Sequence, residues 1–391
     1  MKFLNYLRSP QFAIYAVAAW MVSFLVITGS QAHNNVSYLI LILPTLVSLR
    51  FQEVQDFFRN RLGQLLFLVI ATLILAAILG DGSPLQQAKF GAIVLLLYLA
   101  VARLPLLNED TVYKAAWAFL GLITVYVLVN MVMQYAHGTW VPGMRLGDLN
   151  AKLENVIYVT NTMGGMLAVI TLLGMRAKKY RAVIAAHVLV LLVALTILQT
   201  RSIIGVWALI MLLTYFNFYH QKSKRATFII ISIALAVVIA ITLLLIYTPI
   251  GASLLQRNFY RPEIWHGYIA ETLRCGIWMG CGPEHAFQYI SRDGNVMVHP
   301  HSVFVTQFYK AGLIGVIPLL ALTILAITQG LRAGSWAGWY LAVGVLGLCF
   351  DGSSLVHSPS QRWLVFHLPM ALLIAQQLRQ TYADRTLKAS A

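Results

Sequence analysis

Charge is what this sequence has least of. Asp, Glu, Lys and Arg make up 10% of its 391 residues, against about a quarter in soluble domains, while apolar residues make up 59%. That deficit excludes an ordinary soluble globular protein. Cysteine is scarce as well: there are three, with no CxxC pair and no metal-ligand spacing. No GxSxG turn and no HExxH helix occurs, which excludes the serine-hydrolase elbow and the zincin site. Nor is there a DxD motif or aspartate cluster to hold Mg²⁺ or Mn²⁺ against phosphates, so a metal-dependent transferase is disfavoured and no cofactor is expected.

What the sequence has in quantity is apolar runs of about 20 residues, the length that crosses a bilayer core. They predict an all-α polytopic membrane protein, one integral membrane domain over 1–391. About twelve transmembrane helices are expected, at 11–29, 35–50, 62–80, 86–103, 111–135, 155–175, 181–198, 202–219, 226–247, 302–328, 333–350 and 361–379. The first reads as an uncleaved helix, its apolar core being too long for a signal peptide. With the N-terminus inside, cytoplasmic segments hold eighteen of the 28 Lys and Arg, led by the short connections "RAKKYR" and "HQKSKR". Both termini are therefore expected in the cytoplasm, and the +15 net charge reads as a topology signal, with no nucleic-acid partner. Two outer segments remain, 137–155 and a large, partly helical loop at 248–301 between the ninth and tenth helices. Loops of that length usually carry function.

Ten basic residues face outward against the trend. Arg201 sits in a turn of a few residues, "ILQTRSIIGVW", with apolar helices on both sides. It is either a snorkelling side chain or a fixed anion site. In the large loop, "RPEIW" puts Pro262 and Glu263 after Arg261, which are helix-start signals. A helix over about 262–275 would set Arg261 beside its positive end, suited to an anion. Trp265, Ile269 and Leu273 fall four apart as an apolar stripe for the membrane surface. Arg257 precedes the helix start, so spacing does not align it with Arg261. Arginine suits a diphosphate because its planar fork binds oxygens in pairs. The loop also has four acids to set against Arg257, Arg261, Arg274 and Arg292, so pairing within the loop reads the same residues.

The loop ends in "HPHSVF". Pro300 biases His299 to an extended backbone, and His301 falls at or near a helix start whose dipole favours the neutral ring. A neutral base beside fixed cations suits glycosyl or acyl transfer, and interface histidines fit the residues equally. Glu263, Glu271 and Asp293 are reserve bases. Asp351 and His357 read as loop polar residues or part of an acceptor site. Cys275 and Cys281, outside the membrane, are placed where a disulfide is permitted.

In their order, "QTRSIIG", "RPEIW", "GCGPEHAF" and "HPHSVFVTQFYKAGLIGV", with "MRLGDLN" and "NTMGGMLAVI" earlier, resemble the O-antigen ligase domain of lipopolysaccharide ligases and their relatives. The motifs cover roughly 140–320. This resemblance implies transfer of a finished glycan from undecaprenyl diphosphate to a sugar hydroxyl of lipid A–core. The reaction would lie on the periplasmic face of the bacterial inner membrane, without metal or nucleotide sugar. It matches Arg261 and Arg201 to the family's essential arginines, with Arg145 as a further phosphate contact. It selects His301 as catalytic base, eleven residues before Gly312 of "GLIG". Ser302 stands where the family often has Asn. Arg257, His299 and Trp265 are secondary candidates.

The implied mechanism is a single inverting displacement. Its rivals are an O-antigen polymerase, whose RX10G motif is missing here, and a protein O-oligosaccharyltransferase. A lipid or glycan transporter would need polar groups at mid-membrane.

Overall fold

The computed structural model describes residues 2–219, 260–291 and 294–390. The expected span 226–247, Arg257, Arg292 and Asp293 lie outside the described residues. Helices Lys2–Leu7, Pro10–Val26, Ser30–Ser48, Phe51–Arg59, Arg61–Leu79, Pro84–Ala102, Glu109–Ala136, Val156–Arg176, Tyr180–Ile197, Ser202–Phe218, Arg261–Cys275, Val303–Arg332, Trp336–Phe350 and Leu368–Ser390 follow one another. A small hairpin pairs Tyr289 with Met297 and Ile290 with Val296.

Polar residues between the apolar runs start the helices. Ser9, Asn60, Ser83, Asn108, Asn155 and Ser335 each accept a backbone N–H of the first turn. Pro10 and Pro84 occupy first helical positions, where no donor is lost.

Among the described residues, six helices are long and apolar enough to cross a membrane, against the twelve expected. Pro10–Val26, Ser202–Phe218 and Trp336–Phe350 are apolar but only 15 to 17 residues long. Ser30–Ser48 turns through 101° into Phe51–Arg59. That amphipathic helix was not anticipated, because nine residues with an acid and a base at its ends fall outside any apolar window. Arg103 fixes the bend, its guanidinium donating twice to Glu53 at 2.9 Å and once to Ser48 Oγ at 2.7 Å.

Val156–Arg176 is the centre of the bundle, with 94% of its apolar window buried. Small residues let its neighbours close in. Gly165 lies under the Tyr340 ring, Gly164 meets Val206 and Val343, and Gly347 receives the Asn161 amide. Gly344 packs onto the Val365 carbonyl, so any Cβ there would be driven into a backbone oxygen that cannot swing away. Gly344→Val is expected to cost roughly 1–3 kcal/mol or more by overpacking, read as a lowered midpoint of thermal unfolding in detergent.

Val303–Arg332 is broken at Ala311 and Gly312, where the φ of Gly312 is +57°. The loop after Arg261–Cys275 enters this break. Leu313 N–H donates to Ile277 O at 2.9 Å, Ile314 N–H to Trp278 O, Cys281 N–H to Tyr309 O and Gly282 N–H to Lys310 O. The kink thus satisfies its loosened backbone groups through the loop. A Cβ on Gly312 would strike the Trp278 carbonyl, which gives the glycine of "GLIG" a physical reason.

The helix expected at 262–275 is observed as Arg261–Cys275, and Cys275 is disulfide-bonded to Cys281. Tyr268, Ile264, Tyr309 and Cys281 form a separate small core for this loop. Asp81, between two helices of the bundle, holds the loop from the other side. Its N–H donates to Cys281 O, its carbonyl accepts from Glu284 N–H, and its carboxylate meets His285 Nδ1 at 2.6 Å. His285 Nε2 lies 3.4 Å from Glu271, which also pairs with Arg274.

The hydrogen bond to Asp81 raises the pKa of His285 above the ordinary imidazole value; partial burial opposes this, and Glu271 assists. A raised folded pKa contributes stability that is complete below the unfolded value, near 6.5, and is lost as pH rises through the folded one. The loop is therefore expected to loosen as pH is taken upward from about 6, seen as faster amide exchange over 276–291. His285→Gln should remove that pH dependence.

Candidate active site

Three arginines from distant parts of the chain meet in one cavity. Arg145, Arg201 and Arg261 line a space of about 320 Å³ together with Gln199, Thr200, Ser202 and Phe350. The sequence reading had Arg201 and Arg261 on their own merits and Arg145 by resemblance alone. The structure shows what brings Arg145 there. A π-helical turn, Val193–Ile197, ends one helix, and the chain reverses through Gln199 at φ +45°. The Gln199 amide donates to Gly143 O at 2.8 Å, and Leu146 N–H donates to Ile197 O at 3.1 Å. These bonds lash the 137–155 loop to the Arg201 turn. Thr200 and Thr160 share a hydroxyl contact of 2.7 Å, fixing the turn to the central helix.

Arg201 is the N-cap residue of Ser202–Phe218, and Arg261 is the first residue of its own helix. The cavity therefore has two positive helix ends at its rim. Burial lowers the pKa of Arg261, and Arg201 adds to this while Asp351 opposes it. The guanidinium groups repel one another in a partly dry setting, which an anion between them would relieve.

A chain of contacts joins this cavity to the two histidines. Phe350 lines the cavity and stacks on Trp265 with ring centroids 6.1 Å apart. Trp265 Nε1–H donates to Pro300 O at 2.9 Å, between His299 and His301. Asp351 follows Phe350, and its Oδ1 lies 3.1 Å from His301 Nδ1. Trp265 thus departs from its expected role in a membrane-facing stripe: Ile269 and Leu273 are exposed, but the indole turns inward and orders the site.

His301 stands just before its helix start, as expected. Its helix begins at Val303 with Ser302 as N-cap, and His301 itself adopts φ +54°. A non-glycine residue in that region is strained and is held there by its surroundings. Its Nδ1 faces the carboxylate of Asp351, which is 3% exposed. His299 lies beside it, ring centroids 4.1 Å apart. Burial, then His301, pushes His299 down to about 4. At neutral pH it is an uncharged neighbour, and its Nδ1 is buried with no partner among the described residues.

Asp351, read from the sequence as a loop polar residue or part of an acceptor site, was not expected as the partner of His301. Its signal was slight, an acid ending an apolar run in "GLCFDGSS". Among the described residues, one group of three, Cys275, Cys281 and His285, brings possible metal-ligand atoms within 4.8 Å, and there the two sulfurs are bonded to each other.

No family model matches this chain. An O-antigen ligase of Pseudomonas aeruginosa is 26% identical over 167 residues. The match covers 39% of this chain and spans 39% of the length of that relative. The chain is a helical membrane protein similar over that part to an O-antigen ligase.

Proposed function

We propose that the protein is an O-antigen ligase, moving a glycan from undecaprenyl diphosphate to a sugar hydroxyl of lipid A–core on the periplasmic face of the inner membrane. The observation that carries this reading is the convergence of Arg145, Arg201 and Arg261 on one cavity beside the His301–Asp351 pair.

The chemistry follows from the groups present. Asp351 accepts the Nδ1 proton of His301, which leaves Nε2 with its lone pair as the base. Nε2 takes the proton of the acceptor hydroxyl, and the oxygen attacks the anomeric carbon. The bond from that carbon to the diphosphate oxygen breaks, and the electron pair leaves with the lipid diphosphate. The three guanidinium groups hold the diphosphate and stabilise the charge as it leaves. One displacement inverts the anomeric centre. Because diphosphate is already a good leaving group, guanidinium groups suffice where other transferases use a metal.

The test is transfer by purified protein in EDTA, with lipid-diphosphate glycan and lipid A–core. Acceptor-dependent, single-step transfer supports the reading. Glycan ladders formed without lipid A–core would identify a polymerase, and transfer to protein hydroxyls an oligosaccharyltransferase.

A further inference from the structure

The loop after Arg261–Cys275 exposes two large apolar side chains, Ile277 and Trp278, the second by 63%. They sit in a short ring closed by the Cys275–Cys281 disulfide. The backbone of that ring is held firmly. The carbonyls of Ile277 and Trp278 accept from Leu313 and Ile314 N–H in the kink of Val303–Arg332, and Gly280 lies so close to the Tyr309 carbonyl that no Cβ would fit. A fixed backbone with apolar side chains turned outward marks a contact surface.

What stands beside the ring says what covers it. Arg61–Leu79 is one of the six helices able to cross a membrane. Its exposed apolar residues are Phe67, Leu68, Leu75, Ile78 and Leu79. At about 100° per residue they fall within one arc of about 120°, the face that such a helix turns to lipid. Leu79 ends that face, and the ring is seated on the end of this helix. Leu79, Cys275, Ile277 and Trp278 line one cavity of about 480 Å³, Gly80 packs against the Cys281 carbonyl, and Asp81 N–H donates to it at 3.3 Å. The lipid-facing surface therefore continues from the helix onto Ile277 and Trp278.

The chemistry of the neighbours fits the same boundary. An indole combines an apolar body with an N–H that reaches headgroup oxygens, which is why Trp gathers at membrane interfaces. Arg274, in the last turn of the preceding helix, has a side chain that is 79% exposed. Its pair with Glu271, at 3.3 Å and three residues apart, is a surface pair of little strength. The guanidinium is thus placed for the negative charge of lipid phosphates.

We propose that the disulfide-closed ring Cys275–Cys281 is a lipid anchor, with Ile277 and Trp278 seated among acyl chains beside Leu79 and Arg274 at the level of the lipid phosphates. The membrane-facing indole of this loop is then Trp278, where helical spacing had offered Trp265. Because the ring is bonded into the kink, its seat fixes the height at which Val303–Arg332, and His301 just before it, stand relative to the headgroups.

The full chain is placed in nanodiscs of phosphatidylcholine and phosphatidylglycerol, with bromine on the acyl chains of one lipid or the other. Emission of wild type minus that of Trp278→Phe isolates residue 278 among the nine tryptophans. The substitution is at an exposed position and keeps the backbone bonds of the ring, and an unchanged thermal midpoint confirms that the two proteins are comparable. The difference signal should be quenched most by bromine near the glycerol end of the chain, less by bromine near the methyl end, and little by aqueous acrylamide. Arg274→Gln should lower the preference of that signal for brominated phosphatidylglycerol about fivefold.

Quenching by acrylamide and not by brominated lipid would put the ring in water and overturn the anchor. Protection from both quenchers would mean that protein covers Trp278, a second copy if crosslinked dimers accompany it, and would overturn the anchor as well. None of these readouts involves glycan transfer, so the anchor and the ligase reading stand or fall separately.

Discussion

Alanine in place of His301 is expected to slow transfer by roughly 10²- to 10⁴-fold, the range of a positioned general base, while donor binding stays intact. The expectation rests on geometry. His301 is held at φ +54° by the turn between Pro300 and the helix cap Ser302, and its Nδ1 is pointed at Asp351. The Nε2 face is left for the acceptor hydroxyl.

Asp351→Asn should produce most of the same loss without removing the imidazole. An amide in that place can donate to Nδ1, which favours the tautomer with the proton on Nε2. His299→Gln is the control, because His299 is neutral at working pH and lies beside the base; it should retain most activity. Single-turnover transfer, with donor binding measured separately, checks all three. A fully active His301→Ala enzyme would leave the histidine as a neighbour of the membrane interface and the base unassigned.

The helices were legible because burial in a bundle and length across a bilayer both write themselves as apolar runs, and the polar caps between them set the starts. Arg201 stood out for the opposite reason, since a guanidinium between apolar helices is costly, and Arg261 stood out through the helix-start signals Pro262 and Glu263 that follow it. Asp351 was hidden because its partner is 50 residues away, brought near by the packing of Val303–Arg332 against Trp336–Phe350. Arg145 was hidden too, since two hydrogen bonds to the far side of the Gln199 turn place it, and nothing in "VPGMRLG" announces them. The kink at Gly312 shows the same limit. The glycine is visible in the sequence, but the loop that enters the break comes from residues 277–282, and only the assembled chain shows why a side chain there would not fit.

Arg261→Lys is expected to cost transfer on the order of 10²- to 10³-fold, as for loss of a preorganised donor to developing charge, although it keeps the positive charge. Lysine is a point donor on a flexible stem and cannot present two parallel N–H groups to phosphate oxygens. Arg261 begins its helix beside Pro262 and shares the cavity with Arg201 and Arg145, so its fork is aimed by the backbone.

If the cavity acted only through its summed charge, lysine would serve nearly as well, and activity close to wild type would sink the clamp. If Arg261 were mainly a scaffold for its helix, the thermal midpoint would fall along with activity. The clamp reading predicts an unchanged midpoint, a higher donor KM and a lower rate at saturation, since the diphosphate gains charge as it leaves. The acceptor KM should not move, which separates a donor clamp from a general loss of the site.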